Sequence, residues 1–347
     1  MRNSKLNIKV VMATLLMASM LFVSCGQVKT DGETSTAASG NTQQSAKMAP
    51  TKDPYTDPIK IAFLPNVIGD TVANAWGDGA EQELATFSNV TFQRFDGKAS
   101  SETQGRIMQD LINQQYDAII LQCSDSAAAA TFVQQAESNN IPVITLNLDA
   151  DTTHTGLITM VDYEAGALVA SNMAKGMGEE GNVVIIQATP GATRGERLEA
   201  GFRDEMAKHE NITILDAQSG EWLTEKANVV MNDFLTKYSE IGGVFAHNDA
   251  MAEGASQAAA SAGRLDEMQI WGADGEKKAL EYIEEGMLSG TIYTNCYDQG
   301  ATAARLAMYA IGAGLNGTKM EETSVIKMAP IVVTQDNVGD ISDNIRW

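Results

Sequence analysis

The sequence predicts an α/β fold of two doubly wound parallel-sheet lobes, and two observations carry the prediction. From Ile59 onward, short and nearly continuous apolar runs alternate with amphipathic stretches, and the cycle runs through twice. Strands apolar on both faces and separated by helices belong to a parallel sheet covered on both sides. The second observation is an internal echo. Arg106-Ile107-Met108-Gln109-Asp110-Leu111 leads through Tyr116-Asp117 into the strand at Ala118 and then Ser124-Asp125. Val229-Val230-Met231-Asn232-Asp233-Phe234 leads in the same way into the strand at Val244 and then Asn248-Asp249. Both units read as helix, turn, apolar strand and a polar helix start, as a duplicated lobe would.

The elements follow in order. IKIAFLP, VTFQRF, DAIILQC, IPVITLN and LITMV read as the first set of strands, with helices over 69–87, 99–115 and 125–139. Ser101 with Gln104 has the spacing of a capping box for the second helix. GNVVIIQA, ITILDAQ, IGGVFAHN and MQIWGADG form the second set, again with helices between. The chain has 347 residues, 44% hydrophobic and 20% charged, enough for two cores once the N-terminal segment is set aside.

That segment reads as an export address. Residues 1–9 carry Arg2, Lys5 and Lys9 without an acid, and Val10 to Val23 are apolar apart from Thr14 and Ser19. The run is too short to span a bilayer and matches a secretion signal of residues 1–24. Its end, Leu21-Phe22-Val23-Ser24-Cys25, resembles the bacterial lipobox, which implies a lipid anchor on Cys25; Phe22 stands where leucine is usual. Residues 26–58 are rich in Thr, Ser, Gly, Ala and Gln and read as a flexible tether.

Charge and cysteine count exclude several functions. The formal charge is −21, and removing the three N-terminal cations leaves −24 on the remainder. So acidic a surface repels phosphate backbones, so no nucleic-acid partner is expected. Cys123 and Cys296 lie in apolar strand surroundings and read as buried thiols, with one disulfide between them as the alternative. The chain has three histidines, His154, His209 and His247, with no nucleophile–base order and no phosphate loop, so it does not read as an enzyme. No metal or cofactor motif stands out; Asp336, Asp340 and Asp343 lack calcium-loop spacing and read as a solvated tail.

In open parallel sheets, ligands bind beyond the carboxyl ends of the strands. The residues found there are Asn66, Asp70, Asn147, Asp149, Arg194, Arg197, Trp222, Asn248, Asp249, Asp274 and Asn295. Carboxylates accept, guanidinium donates and amides do both, which suits a ligand rich in hydroxyls. An indole can cover a sugar ring's apolar face. Asn and Asp after a strand also serve as helix caps, so the set carries more weight than any member.

These residues, in the stretches KIAFLP…DGAEQE, IPVITLN, GERLEAGF, VFAHNDAMAEGA, WGADG and TIYTNCYDQGA, make the body from about 57 to 334 resemble the periplasmic type I sugar-binding proteins. The ribose/pentose-like group is the nearest in pattern. Lac-repressor-type regulators share this body but need a DNA-binding segment where this chain has its signal. The resemblance implies a type I periplasmic binding fold with a hinge crossed three times, near Val161-Asp162, Asn295-Cys296 and Ser324-Val325. Lobe 1 is then 58–161 with 296–324, lobe 2 is 162–295 with 325–347, and 25–57 is the lipidated tether.

It further implies ligand contacts at Asp70, Asn147, Arg197, Trp222, Asn248, Asp274 and Asn295, with Arg194 as the alternative to Arg197. Ribose binders have asparagine at the position of Asp70. Their Asp-Arg pair after the fourth strand is Asn147-Leu148 here, and their two adjacent aromatics are Val72 and Ala73. Trp76 or Asp149 would then compensate. The implied protein is a monomeric, exported, lipid-anchored solute-binding protein that needs no cofactor and delivers a small sugar or polyol to an ABC permease. The alternative is a sensory module that presents its closed form to a chemoreceptor or membrane kinase.

Overall fold

A computed structural model describes residues 52–347. The signal segment, Cys25 and the tether as far as residue 51 lie outside the described residues.

The first sheet collects β1 (Ile59–Leu64), β2 (Val90–Arg94), β3 (Ala118–Leu121), β4 (Val143–Leu146), β5 (Gly156–Met160) and β11 (Ser324–Met328), in the order β11-β5-β4-β3-β1-β2. The second collects β6 (Gly181–Gln187), β7 (Ile212–Ser219), β8 (Gly243–Ala246), β9 (Gln269–Trp271), β10 (Gly290–Tyr293) and β12 (Ile331–Thr334), in the order β12-β10-β9-β8-β6-β7. Both orders follow one rule, and all pairs are parallel except the antiparallel β12 on β10. The echoed units occupy matching places, with β3 beside β1 and β8 beside β6. The central strands β3, β4, β8 and β10 are buried throughout, as their continuous apolar runs require.

Helices α1 (Thr71–Leu84), α2 (Ser101–Asn113), α3 (Ser126–Ser138) and α9 (Cys296–Ala313) flank the first sheet. Helices α4 (Asp162–Gly176), α5 (Thr193–Met206), α6 (Thr224–Lys237), α7 (Asp249–Ser261) and α8 (Lys277–Glu284) flank the second. One tight helix pair recurs in each lobe. In α1 against α9, a Cβ on Gly300 would sit 1.9 Å from the Trp76 carbonyl oxygen; in α4 against α5, a Cβ on Gly201 would sit 1.9 Å from that of Tyr163. Neither crossing tolerates a larger residue without separating the helices.

The chain passes between lobes at Val161, where β5 gives way to α4, and at Thr294–Asn295, where β10 gives way to α9. The third passage lies at 329–330 rather than Ser324-Val325, because β11 pairs with β5 along its whole length before β12 joins β10. Residues 324–328 therefore belong to lobe 1. β11 is a solvent-facing edge strand with mostly exposed side chains, so no apolar run marks it.

Three further expectations change. The second helix is capped by Ser100, whose Oγ accepts from Thr103 N–H at 3.2 Å. Gln104 is buried instead, donating to Gln122 O and accepting from Ser124 N–H. Residues 53–57 are not free tether: the Asn89 side chain donates to the carbonyls of Pro54 and Asp57. Nor is the C-terminus a solvated tail. Asp336, Asp340 and Asp343 face solvent, but Val338, Ile341 and Trp347 are buried and the Trp347 indole donates to Thr294 O at 3.1 Å. No helix among the described residues is long and apolar enough to cross a membrane.

Candidate functional site

A cleft of about 470 Å³ opens where the carboxyl ends of both sets of strands meet, within the usual size range of small-molecule sites. Lobe 1 contributes Asp70, Val72, Trp76, Gln122, Asn147 and Met160; lobe 2 contributes Arg194, Trp222, Asn248, Asp274 and Glu276.

In lobe 1, Asp70 caps α1 by accepting from Ala73 N–H at 2.8 Å, and its exposed carboxylate still borders the cleft. Trp76 is buried one turn further on, its indole N–H held by Gln299 Oε1. Asn147 turns the chain at the end of β4 with φ 61°, a left-handed conformation that asparagine tolerates. Its Oδ1 is buried without a hydrogen-bond partner, an acceptor left for something in the cleft.

Lobe 2 holds the stronger electrostatics. Arg194, at the start of α5, donates to Asp274 Oδ1 at 2.6 Å and lies 3.4 Å from Asp162 Oδ1 at the first lobe crossing. Its guanidinium sits 5.8 Å from the Trp222 ring centroid, a cation–π geometry. Burial alone would lower the Arg194 pKa, but the two carboxylates outweigh it and hold the group firmly charged. Burial raises Asp274, Arg194 opposes that rise, and Asp249 adds to it. Trp222 follows Glu221, and both have left-handed backbones (φ 67° and 51°) outside glycine, a strained turn that aims the indole. Asn248 caps α7 through Met251 N–H and donates to Trp222 O at 3.4 Å, fixing that turn.

The β9–α8 loop carrying Asp274 and Glu276 is held from behind. Asp249 is buried and accepts from Gly275 N–H (2.7 Å), Glu276 N–H (2.8 Å) and the Thr291 hydroxyl (2.6 Å). Gly275 has φ 84°, and a Cβ there would come within 2.4 Å of the Tyr293 ring, so only glycine lets the loop lie this close to β10.

The structure thus gathers Asp70, Asn147, Trp222, Asn248 and Asp274 at one cleft and separates two other expected residues from it. Arg197, one turn after Arg194, faces a different groove of about 380 Å³ beside Asp149, Asp162 and Lys327. Arg194 takes the place assigned to Arg197. Asn295 caps α9 through Asp298 N–H and borders the outer α1–α9 surface, not the cleft. Of the two compensating candidates, Trp76 lines the cleft and Asp149 does not. Gln122 and Glu276 are additions. Gln122 directly follows β3, so the strand-end rule would have found it had the apolar run been ended at Leu121. Cys123 and Cys296 are both buried and free, and burial raises both thiols. Among the described residues no group of three or more His, Cys, Asp or Glu side chains could hold a metal ion.

A model of the periplasmic binding protein domain matches residues 61–315. The ribose import binding protein of Bacillus subtilis is 30% identical over 229 residues, 66% of this chain and 72% of that protein. The D-allose-binding periplasmic protein of Escherichia coli is 28% identical over 72% of this chain and 84% of its own length. A periplasmic solute-binding protein of an ABC transporter from Actinobacillus succinogenes, solved with bound D-allose, superposes with TM-score 0.74 at 29% identity, covering 82% of this chain and all of that one. Sequence match, lobe order and cleft agree: the chain belongs to the periplasmic binding protein family, in its type I fold.

Proposed function

We propose that this protein captures a small polyhydroxy solute, a sugar or polyol, between its lobes and hands it to an ABC importer outside the cytoplasm. The observation that carries the reading is the cleft lining itself. Carboxylates, amides and one guanidinium converge there with two indoles, the mixture that recognises hydroxyls around an apolar ring. Relatives named for ribose and allose support it. Binding rather than catalysis fits a site whose arginine is ion-paired to Asp274 and Asp162 and whose histidines lie elsewhere. Closure of the lobes on ligand would present a surface that a permease can distinguish from the open form. Retention at the outer face of the membrane would follow from a lipid on Cys25, tested by lipid labelling that Cys25→Ala should abolish.

A thermal-shift screen of sugars, polyols and nucleosides tests the ligand class. A member at roughly 100 times its Kd should add about 2.7 kcal/mol of stability. Asp274→Ala should then weaken binding of that member roughly ten- to hundredfold, the worth of a charge-assisted hydrogen bond. A screen in which only nucleosides raise the melting temperature would overturn the sugar reading.

A further inference from the structure

The cleft holds more carboxyl groups than a neutral sugar needs. Three carboxylates border it, Asp70, Asp274 and Glu276, against one cation, Arg194. That cation is already matched by Asp274 at 2.6 Å and Asp162 at 3.4 Å. Asp70 and Glu276 therefore face the cleft with no ion-pair partner among the described residues, one from each lobe.

Glu276 is not a surface side chain that happens to point inward. It stands at the start of α8, its backbone N–H is fixed by the buried carboxylate of Asp249, and it is only partly exposed. Burial, with Asp274, Asp249, Asp70 and Glu253 beside it, pushes it up to about 8. Near neutral pH Glu276 therefore holds its proton while the cleft is empty or filled by a neutral molecule. A cation placed between Glu276 and Asp70 releases that proton to solvent and pairs with both carboxylates, drawing the lobes together.

We propose that the solute carries an ammonium group, as an amino sugar or amino-substituted polyol, and that Asp70 and Glu276 close on that group from the two lobes. Arg194, Asp274, Asn248 and Asn147 then serve its hydroxyls, and the indoles of Trp76 and Trp222 its apolar face. The inference rests on the polyhydroxy reading of the cleft and narrows it.

Matched sets test it: D-glucose, D-glucosamine and N-acetyl-D-glucosamine, the same three in the galacto and allo series, and myo-inositol against an amino-inositol. Titration calorimetry on the mature protein should find at least one amine bound ten- to hundredfold tighter than its neutral parent and its N-acetyl form. Glu276→Gln should remove most of that preference, costing the amine at least about tenfold more affinity than it costs the neutral parent. A melting curve of the variant confirms that it folds. Neutral sugars binding as tightly as their amines, with Glu276→Gln without effect on either, overturn the ammonium inference and leave the sugar reading standing. No binding by any member overturns both.

Discussion

The two lobes share one strand order yet meet the cleft with different chemistry. Lobe 2 presents Arg194 and Asp274, joined by an ion pair, and Glu276, whose loop is held by the buried Asp249 behind it. Lobe 1 presents two amides, Gln122 and Asn147, the Trp76 ring and a single exposed carboxylate at Asp70. Its β1–α1 loop is held by Gln122 at Asn66 N–H and by Asp96 at Ile68 N–H, but its tip, Ile68 to Asp70, is exposed, with Gly69 at φ 104°. A duplicated fold has thus become a pre-organised half and a covering half. Pre-organisation lowers the ordering cost of binding, so most of the affinity should reside in lobe 2. Lobe 1 should decide which ligands permit closure.

The largest expected effect separates two arginines one helical turn apart. Arg194→Met should cut affinity for the identified ligand roughly ten- to hundredfold, since it removes a charge-assisted donor and leaves Asp274 and Asp162 without their cation. Arg197→Met should change it by no more than about twofold. Paired titrations beside melting curves measure this. Equal losses in both variants would mean that the second groove, where Arg197 lies, belongs to the binding site, and would break the contrast between a charged lobe and a covering lobe.

How legible this was in the sequence depends on what each feature answers to. Buried strands such as AIIL and VITL are written as apolar runs because both their faces are covered. β11 is not, because it is an edge strand whose first four side chains are exposed, and only Met328 of SVIKM packs against the core. Polar residues after strands were easy to find, but their direction was not. Asp70, Asn248 and Asn295 all cap helices in the same way, and only the first two border the cleft. What separates them is the position of each helix around the sheet, a tertiary property. Likewise the register of one helix start decides between Arg194 and Arg197. In the sequence Glu276 reads as the first residue of a surface helix, and its partial burial comes from the fold of the Asp274 loop.

A smaller effect sharpens the same comparison through pH. Glu276 is raised to about 8 and Asp274 to about 7, both chiefly by burial. A carboxyl that holds its proton more tightly when folded stabilises the fold below its unfolded pKa, and that stability is lost as pH rises through the folded value. His247, lowered to about 4 by burial, works in the opposite sense but only below its ordinary 6.5. Between pH 6.5 and about 8, then, the ligand-free protein should lose melting temperature, levelling off above that, and Glu276→Gln should flatten the slope. A slope unchanged in that variant would place the strain elsewhere than in the acidic loop of lobe 2.

The smallest effect concerns Asn295, at the second crossing between the lobes. Its side chain accepts from Asp298 N–H at 3.0 Å and opens α9, the helix that packs against α1. Removing an N-cap costs about 0.5–2 kcal/mol. Asn295→Ala should therefore lower the melting temperature by a few degrees, while affinity stays within about twofold of wild type. The contrast with Asp274→Ala is the useful part, because both residues follow a strand of the second sheet and only one borders the cleft. If Asn295→Ala instead lost tenfold or more in affinity with its melting curve unmoved, the residue would have to reach the ligand as the lobes close. The hinge would then supply contacts of its own, and the division of labour between the lobes would have to include it.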